Sequence, residues 1–597
     1  MIKTAALYYF NLLLITCMSA FPANAQGMAS LLTDKNVSEL PENLLWEEVY
    51  LQIDRQMYIA GEDTWFSIYA IDMETGKLSQ RSIIVYLELL NPWNKPVIQS
   101  RFRLFGGKGE GNFLLPDSLT SGTYTIRAYT NWMKNFLPSN CFMSNIEIYN
   151  PFRNSTEFIR KSLEPGSPYT KEPDTILENR INLCRLSDSI FGRREKVTLN
   201  LATGNNNKGL SGVFNMSISV TMTDAISSSP GIEDYLNSMK VNREHLKFTG
   251  ESEREYDFET EGHYLSGMVN YRTEGVSDSS DFLFMSIQGK VAEFYNAGID
   301  SSGHFSFILP VDDITRNLIL QPENANKDMM LDIEPSFSPE LPDSQSFRDK
   351  LPNSLTSVFS SLSFNYQAAK IYNISSKKPD ETSVNKNPKK VRFYGIPEME
   401  IYLDDYIMLP TMQEVFFELL PGIIIRSRKT GYEILITNPL TGIFYSIPPL
   451  IMIDGVIIND LSVLVELNPE TVEKIEVVRT PYLVGDMILY GIVNVITRSG
   501  DFSDITMPDY AVILPYRVVE SPATFISPDY ENETVRRSRK PDLRNTLYWN
   551  PSVRSNKNGE TRIEFRTSDL PGSYTVRIEG ISETGEKLSV RQSFIVR

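Results

Sequence analysis

The chain has 597 residues, with 58 Lys and Arg against 75 Asp and Glu, for a formal net charge of −17. That length calls for several domains, and that charge excludes the broad basic surface by which proteins hold nucleic acid or anionic lipid. With 29 Tyr and 31 Phe beside 5 Trp and 3 His, the composition favours strands and leaves little material for histidine chemistry.

Lys3 precedes an apolar run over residues 5–18, and Ala23-Asn24-Ala25 carries the small-residue spacing that signal peptidase accepts. Residues 1–25 read as a signal peptide, too short for a comfortable membrane span. The alternative is lipid anchoring at Cys17, for which Thr16 is a poor preceding residue. No later segment reaches the ~20 apolar residues of a transmembrane helix. Cys141 and Cys184 could pair in an oxidising compartment or stand as separate buried thiols.

Residues 46–150 read as a β-sandwich. Val49, Leu51 and Ile53 alternate with Tyr50, Gln52 and Asp54, the mark of a strand with one buried face, and further strands follow at 65–70, 83–89, 97–104 and 124–130. Tyr50, Tyr69 and Tyr86 look exposed, and cross-strand packing is favoured for them over a binding face. Residues 151–178 form a linker.

Residues 179–260 read as a second sandwich with an irregular, partly helical insertion from 227, its clearest strands at 197–201 and Phe214–Met222. A third β unit covers 261–341, including 286–288 and His304–Leu309. The polar connector 342–395 carries Leu355, Val358, Phe359, Leu362 and Phe364 at helical spacing, and its 377–390 stretch is too polar to bury much surface. Residues 396–502 mix helix and strand, with very apolar strands at Leu450–Ile453 and 492–496. A linker at 503–541 and a C-terminal sandwich segment at 542–597 follow. The fold class is therefore mainly β and multi-domain, with one α+β domain.

A weak repeat links the β units. Gly111-Asn-Phe113-Leu-Leu-Pro116 is echoed by Gly303-His-Phe305-Ser-Phe-Ile-Leu-Pro310, and Ser121-Gly122-Thr-Tyr124-Thr-Ile126-Arg127 by Pro571-Gly572-Ser-Tyr574-Thr-Val576-Arg577.

Catalytic motifs are scarce. His245, His263 and His304 share no metal-ligand spacing, and surface or strand positions suit them better. Gly106-Gly107-Lys108-Gly109-Glu110-Gly111 lacks the Lys-Ser/Thr ending of a phosphate loop and reads as a hairpin. Asp312-Asp313 and Asp404-Asp405 lack the alternating ligands of a calcium loop. No G-x-S-x-G elbow marks a hydrolase, and Glu251, Glu253 and Glu255 have no nucleophile partner. No catalytic residue, cofactor or metal ligand is expected.

Two resemblances bear on function. Asp54-Arg55, Tyr58, Gly61-Glu62 and Trp65, with the closing strand 122–130, resemble the second macroglobulin-like domain (MG2-type) of the alpha-macroglobulin superfamily, although Ala60 stands where that family often has Pro. Asp188-Ser-Ile190-Phe-Gly192 with residues 217–223 resembles a following macroglobulin-type domain more weakly. The superfamily's Gly-Cys-Gly-Glu-Gln thioester is absent, so its proteinase-trapping chemistry is not implied.

Further on, Pro448-Pro449-Leu450-Ile-Met-Ile453-Asp454-Gly455, Leu467-Asn468-Pro469, Val472 to Val478 around Glu476, and Tyr490-Gly491-Ile492-Val493-Asn494-Val495-Ile496-Thr497 are similar, in order and spacing, to the plug of TonB-dependent receptors. Fewer than a hundred residues follow, too few for the receptor's membrane barrel. The layout resembles envelope proteins that combine macroglobulin-like, carboxypeptidase-regulatory-like (here 261–341) and plug domains. It implies an exported, Gram-negative, periplasmic or outer-membrane-associated interaction protein. Its plug would dock on an outer-membrane complex or secretion machinery, or it would serve as a ligand-binding accessory to TonB-dependent uptake. An enzyme hidden in 227–261 ranks last.

Overall fold

The computed structural model describes residues 45–138, 140–153, 184–202, 213–223, 230–242, 256–271, 282–323, 329–342, 356–372, 391–429, 431–485, 487–502, 507 and 511–597. The expected signal peptide, Cys17, most of the 151–178 linker, His245, Glu251, Glu253, Glu255, Leu355 and the 377–390 stretch lie outside the described residues.

Period-2 patterning builds the first module: β1 (Glu47–Ile53), β2 (Met57–Ile59), β3 (Asp63–Asp72), β4 (Ile84–Leu90), β5 (Pro96–Arg103), β6 (Lys108–Leu114), β7 (Gly122–Tyr129) and β8 (Phe142–Tyr149). One sheet has the order β1-β3-β6 and the other β2-β8-β7-β4-β5. Phe66, Phe102 and Phe113 meet between them at centroid distances of 5.0–6.0 Å, in the tilted and edge-on geometries aromatic quadrupoles favour. The glycine-rich 106–111 segment is a turn, with Gly106 and Gly107 at positive φ, running into β6.

The second segment supplies β9 (Cys184–Leu186), β10 (Ile190–Phe191), β11 (Lys196–Ala202), β12 (Phe214–Met222) and the helix α1 (Ile232–Asn242), whose Ile232, Tyr235 and Leu236 are buried. The third contains β13 (His263–Tyr271), β14 (Phe282–Ile287), β15 (Glu293–Gly298), β16 (His304–Leu309), β17 (Arg316–Pro322) and β18 (Met329–Ile333). In the polar connector, α2 (Thr356–Ile371) buries Phe359 and Leu362 against Met57, Ile59 and Tyr149, while Phe364 points to solvent.

The mixed region holds β19 (Met399–Tyr402), α3 (Met412–Leu419), β20 (Ile423–Arg428), β21 (Gly431–Ile436), β22 (Leu450–Ile453), β23 (Val456–Ile457), α4 (Leu461–Glu466), β24 (Val472–Val478), β25 (Tyr482–Val484), β26 (Met487–Leu489) and β27 (Ile492–Thr497). The central sheet has the order β19-β24-β27-β22-β23, with β22 and β27 parallel. Helix α3 is capped by Thr411, whose hydroxyl accepts from the Glu414 amide, and drops Met412, Val415 and Phe416 onto Ile475, Val477, Val493 and Val495. β22 and β27 are buried almost throughout, which is why they read as continuous apolar runs.

Three features depart from the sequence reading. The stretch read as a 503–541 linker contains β28 (Val512–Tyr516), which pairs antiparallel with β17 and completes the order β15-β14-β17-β28, and α5 (Glu533–Arg536). Pro515 disguised the strand; at a sheet edge it costs no ladder hydrogen bond.

The segments read separately as 179–260 and 542–597 share one sandwich. β29 (Thr546–Arg554), β30 (Glu560–Arg566), β31 (Gly572–Ser582) and β32 (Lys587–Val596) give the sheet orders β10-β32-β31-β12-β29 and β30-β11-β9. Their common core joins Val197, Leu199, Met216, Ile218 and Val220 to Ile563, Phe565, Tyr574, Val576 and Phe594.

Third, β1 is buried along its whole length rather than on one face, and Tyr50, Tyr69 and Tyr86 are each at most 1% exposed. The second face of the β1-β3 sheet is covered by the closing sandwich. Gln52 Nε2 donates to the Arg577 carbonyl (3.2 Å), Arg577 Nη2 to the Tyr50 hydroxyl (2.9 Å), and the Tyr69 hydroxyl to the Glu579 carbonyl (2.9 Å). Packing, not display, is the role of these tyrosines.

The repeat has a physical counterpart. Tyr124 and Tyr574 each donate a hydroxyl to the carbonyl four residues earlier, on Thr120 (2.9 Å) and Leu570 (3.1 Å), the corner that fixes a strand's entry in such sandwiches.

Candidate functional site

The macroglobulin-type residues form one buried knot where β1 turns into β2. Asp54 accepts at Oδ1 from the Tyr58 hydroxyl (2.7 Å) and the Trp65 amide (3.0 Å), and at Oδ2 from the Thr546 hydroxyl (2.8 Å). Arg55 pairs with Glu62 at 3.1 Å and lies 4.6 Å over the Tyr58 ring. Burial pushes the Asp54 carboxyl above its usual value, against the pull of Arg55, Tyr58 and Thr546. Gly61 sits at φ +95°, and a Cβ there would fall 2.2 Å from the Tyr366 hydroxyl of α2. These five residues thus gather the first sandwich, α2 and the closing sandwich at one joint.

The residues that carry the expected plug resemblance make two further clusters. Asp454 and Gly455 adopt φ +48° and +76°, the left-handed pair that a two-residue hairpin between β22 and β23 requires. The Asp454 carboxylate accepts from the Thr497 amide (2.7 Å) and hydroxyl (2.6 Å) and from the Phe502 amide (3.1 Å), all buried. Its carbonyl accepts from the Gly289 amide (2.9 Å), and a Cβ on Gly455 would meet the Ile287 carbonyl at 3.1 Å, so the hairpin abuts the third β unit.

Glu476, 1% exposed, accepts from Arg392 (2.6 Å) and the Tyr394 hydroxyl (2.6 Å) and pairs with Lys474 at 2.7 Å. Lys474 also binds Glu400, whose carboxyl is held below its usual value chiefly by that contact. Tyr490 packs against Tyr445 with the rings tilted and their centroids 5.5 Å apart, and Gly491, at φ +105°, leads into β27. The structure does not bring the macroglobulin-type and plug-type residues into a common site.

The same mixed region carries apolar side chains on its surface. Ile396, Ile407 and Leu440 are 92, 90 and 88% exposed, and Phe417, Ile443 and Ile447 are exposed as well. Most stand on loops between hydrogen-bonded elements rather than within the core-facing strands.

Asp404 takes a two-pronged contact from Arg498 (2.6 and 3.0 Å), and Asp312 pairs with Arg316 at 2.6 Å. His304 is exposed, 3.7 Å from Asp300. Cys141 and Cys184 are separate free thiols, each pushed by burial up to about 12. Among the described residues there is no group of three or more potential metal ligands, and no helix long and apolar enough to cross a membrane.

A polar chain that sequence reading missed runs beneath a cleft. His263, which lies on β13 as a strand residue but is wholly buried rather than at the surface, has Nδ1 2.7 Å from Glu259 and Nε2 2.5 Å from the Tyr516 hydroxyl. Arg101 Nη1 lies 2.6 Å from that hydroxyl, 3.0 Å from His263 Nε2 and 2.9 Å from Ser336 Oγ, and Arg101 Nη2 donates to the Arg517 carbonyl (2.6 Å). The Glu259 carboxylate selects the Nδ1–H tautomer, leaving Nε2 to accept. Desolvation lowers the His263 pKa, so the ring is neutral at pH 7.

No protein family and no curated protein matches the sequence. Solved structures do align. Salmonella alpha-2-macroglobulin reacted with methylamine aligns over 94% of this chain and 40% of its own at 10% identity and TM-score 0.23, and native Escherichia coli alpha-2-macroglobulin gives the same values. Dimeric latent PorU from Porphyromonas gingivalis aligns over 93% of this chain and 34% of its own, at 9% identity and TM-score 0.14. These values assign neither family nor activity.

The chain thus spans about 40% of the length of the macroglobulins it aligns with. The mainly β, multi-sheet fold stands on its own strands and cores.

Proposed function

We propose that this chain is a non-enzymatic interaction protein of the cell envelope, whose plug-like unit at 396–502 docks onto an outer-membrane or secretion partner. The observation that carries the reading is the set of apolar side chains that this unit leaves in solvent, Ile407 and Leu440 foremost. Monomeric surfaces seldom concentrate such residues unless another surface covers them. On this reading residues 1–25 are an export signal, and the sandwiches at 46–150 and 261–341, with the composite one built from 179–260 and 542–597, are spacers that hold the docking unit. Asp54, Arg55, Tyr58, Gly61 and Glu62 are structural, as are Asp454, Gly455, Glu476, Tyr490, Gly491 and Thr497.

A photo-crosslinking residue placed at 407 or 440 in the native envelope, followed by mass spectrometry, tests the reading. The expected result is one reproducible outer-membrane or secretion partner, lost when the other position is changed to Asp. Links spread over abundant bystanders, or links indifferent to Ile407→Asp and Leu440→Asp, would sink it. An amine-reactive reagent should be read at exposed Lys429, since Lys474 is tied to Glu400 and Glu476.

A further inference from the structure

A cleft of about 420 Å³ lies between β5 and the segment 335–341, a size suited to a small ligand. Its floor and walls include Arg101, Gln99, Phe337, Pro339, Leu341 and Tyr516. The wall at 335–341 is Pro-Ser-Phe-Ser-Pro-Glu-Leu, which cannot join a sheet as a regular strand. Side chains of the first sandwich pin it instead. Lys134 donates to the Ser336 carbonyl (2.7 Å), Arg127 to the Ser338 (3.0 Å) and Glu340 (2.6 Å) carbonyls, and the Tyr129 hydroxyl accepts from the Ser338 amide (3.1 Å). Asn94 holds the Pro342 carbonyl (2.8 Å). The wall is therefore fixed before any ligand arrives, which removes an ordering cost from binding.

Arg101 has an unusual set of partners. Its contacts are a neutral imidazole, two hydroxyls and a carbonyl, and no carboxylate among the described residues pairs with it. Glu259 reaches it only through His263 and Tyr516. The nearby Glu88 is committed to Arg127, Tyr129 and Gln99, and Arg517 to Glu520. The guanidinium stacks 4.7 Å over Tyr516 and 6.0 Å from Phe337, so its plane is held while its Nε–H has no acceptor among the described residues. The Gln99 amide nitrogen is spent on Glu88 (2.7 Å), which leaves its oxygen for a donor.

A part-exposed cation, held by neutral groups at the end of a rigid cleft with Phe, Leu and Pro walls, is the arrangement that a carboxylate on an apolar body completes. We propose that this cleft binds a small carboxylate ligand with an aromatic or aliphatic body, the carboxylate on Arg101 and the apolar part against Phe337 and Leu341. The source is either the carboxyl end of a peptide or a free organic acid. None of the cleft residues belongs to the 396–502 unit, so this proposal and the docking reading fail separately.

The probes are N-acetyl-L-phenylalanine, its amide, and 4-phenylbutyrate, titrated into the full chain and followed by ligand-observed NMR. A ligand of this size is expected to bind near about 1 mM. Both acids should saturate, the amide should bind about tenfold more weakly or not at all, and added salt should weaken the acids. Arg101→Lys, which keeps charge but loses the fork, and Leu341→Asp, which adds a like charge to the ligand without touching the Arg101 network, should each weaken the acids about tenfold. Binding of 4-phenylbutyrate alone supports the proposal and names a free acid as the source; binding of N-acetyl-L-phenylalanine alone supports it and names a peptide end. Equal binding of acid and amide, acids that bind both variants as well as the parent, or no saturation by either acid at about tenfold the expected concentration would overturn it.

Discussion

At the scale of single residues, several charged groups are buried in polar networks, among them Asp54, Glu88 with Arg127, and Glu476. His263 is the clearest case, because Glu259, Arg101, Lys134, Tyr86 and Tyr516 all face it. Its pKa in the folded chain lies below the unfolded value of about 6.5, with desolvation the main cause and Glu259 opposing it. The unfolded chain therefore takes up the proton first as pH falls. Stability is lost from about pH 6.5 downward, by at most ~1.4 kcal/mol per pH unit from this group. Urea midpoints between pH 7.5 and 5 should show that slope, and His263→Gln should flatten it; identical slopes would refute the assignment.

Sequence alone could not show this network, because His263 and Arg101 are brought to Tyr516 from positions 253 and 415 residues away. Asp454-Gly455 was legible by contrast, because the dipeptide itself dictates a left-handed turn. Its hydrogen bonds to Thr497 and Phe502 were not legible, since they cross the sheet.

At the scale of elements, patterning located strands well where one side chain in two faced a core, and misjudged them where a second module covered the other face. β1 alternates in sequence, yet its polar half is sealed by contacts to Arg577 and neighbours. β28 was hidden by Pro515. Helix α2 was legible from Val358, Phe359 and Leu362, and the structure adds what it holds. Phe359 packs against Tyr149 with the rings tilted and 5.5 Å between centroids, and Tyr366 approaches Gly61 beside the Arg55–Glu62 pair. Phe359→Ala should cost about 3–5 kcal/mol, the usual range for an emptied aromatic site. The loss should appear first as cleavage of residues 356–372 in limited proteolysis. A variant as protected as the parent would mean that α2 is held by its polar contacts instead.

At the scale of the whole molecule, the composite sandwich decides which parts stand alone. β12 is paired on one side with β29 and on the other with β31, so both its neighbours come from residues 546–582. A chain ending at Asn545 would lose Ile563, Phe565, Tyr574, Val576 and Phe594 from that core. Residues 184–222 should then be cut rapidly by protease, and a separately made 546–597 fragment should restore protection. Protection without the fragment would show that the first half of the sandwich folds by itself. The macroglobulin-type knot should weaken as well, because Thr546 supplies one of the hydrogen bonds to Asp54.

That late pairing also sets a clock. Asn215 must wait for Arg554 and Ile581 before either edge of its strand is satisfied. At a synthesis rate of about 5–20 residues per second, the wait is on the order of tens of seconds. Throughout that interval Phe214–Met222 is a strand with two open edges and one uncovered apolar row, Phe214, Met216, Ile218, Val220 and Met222. A newborn chain of this protein therefore needs an escort, or a crowd-free path, for longer than any of its local hairpins takes to close.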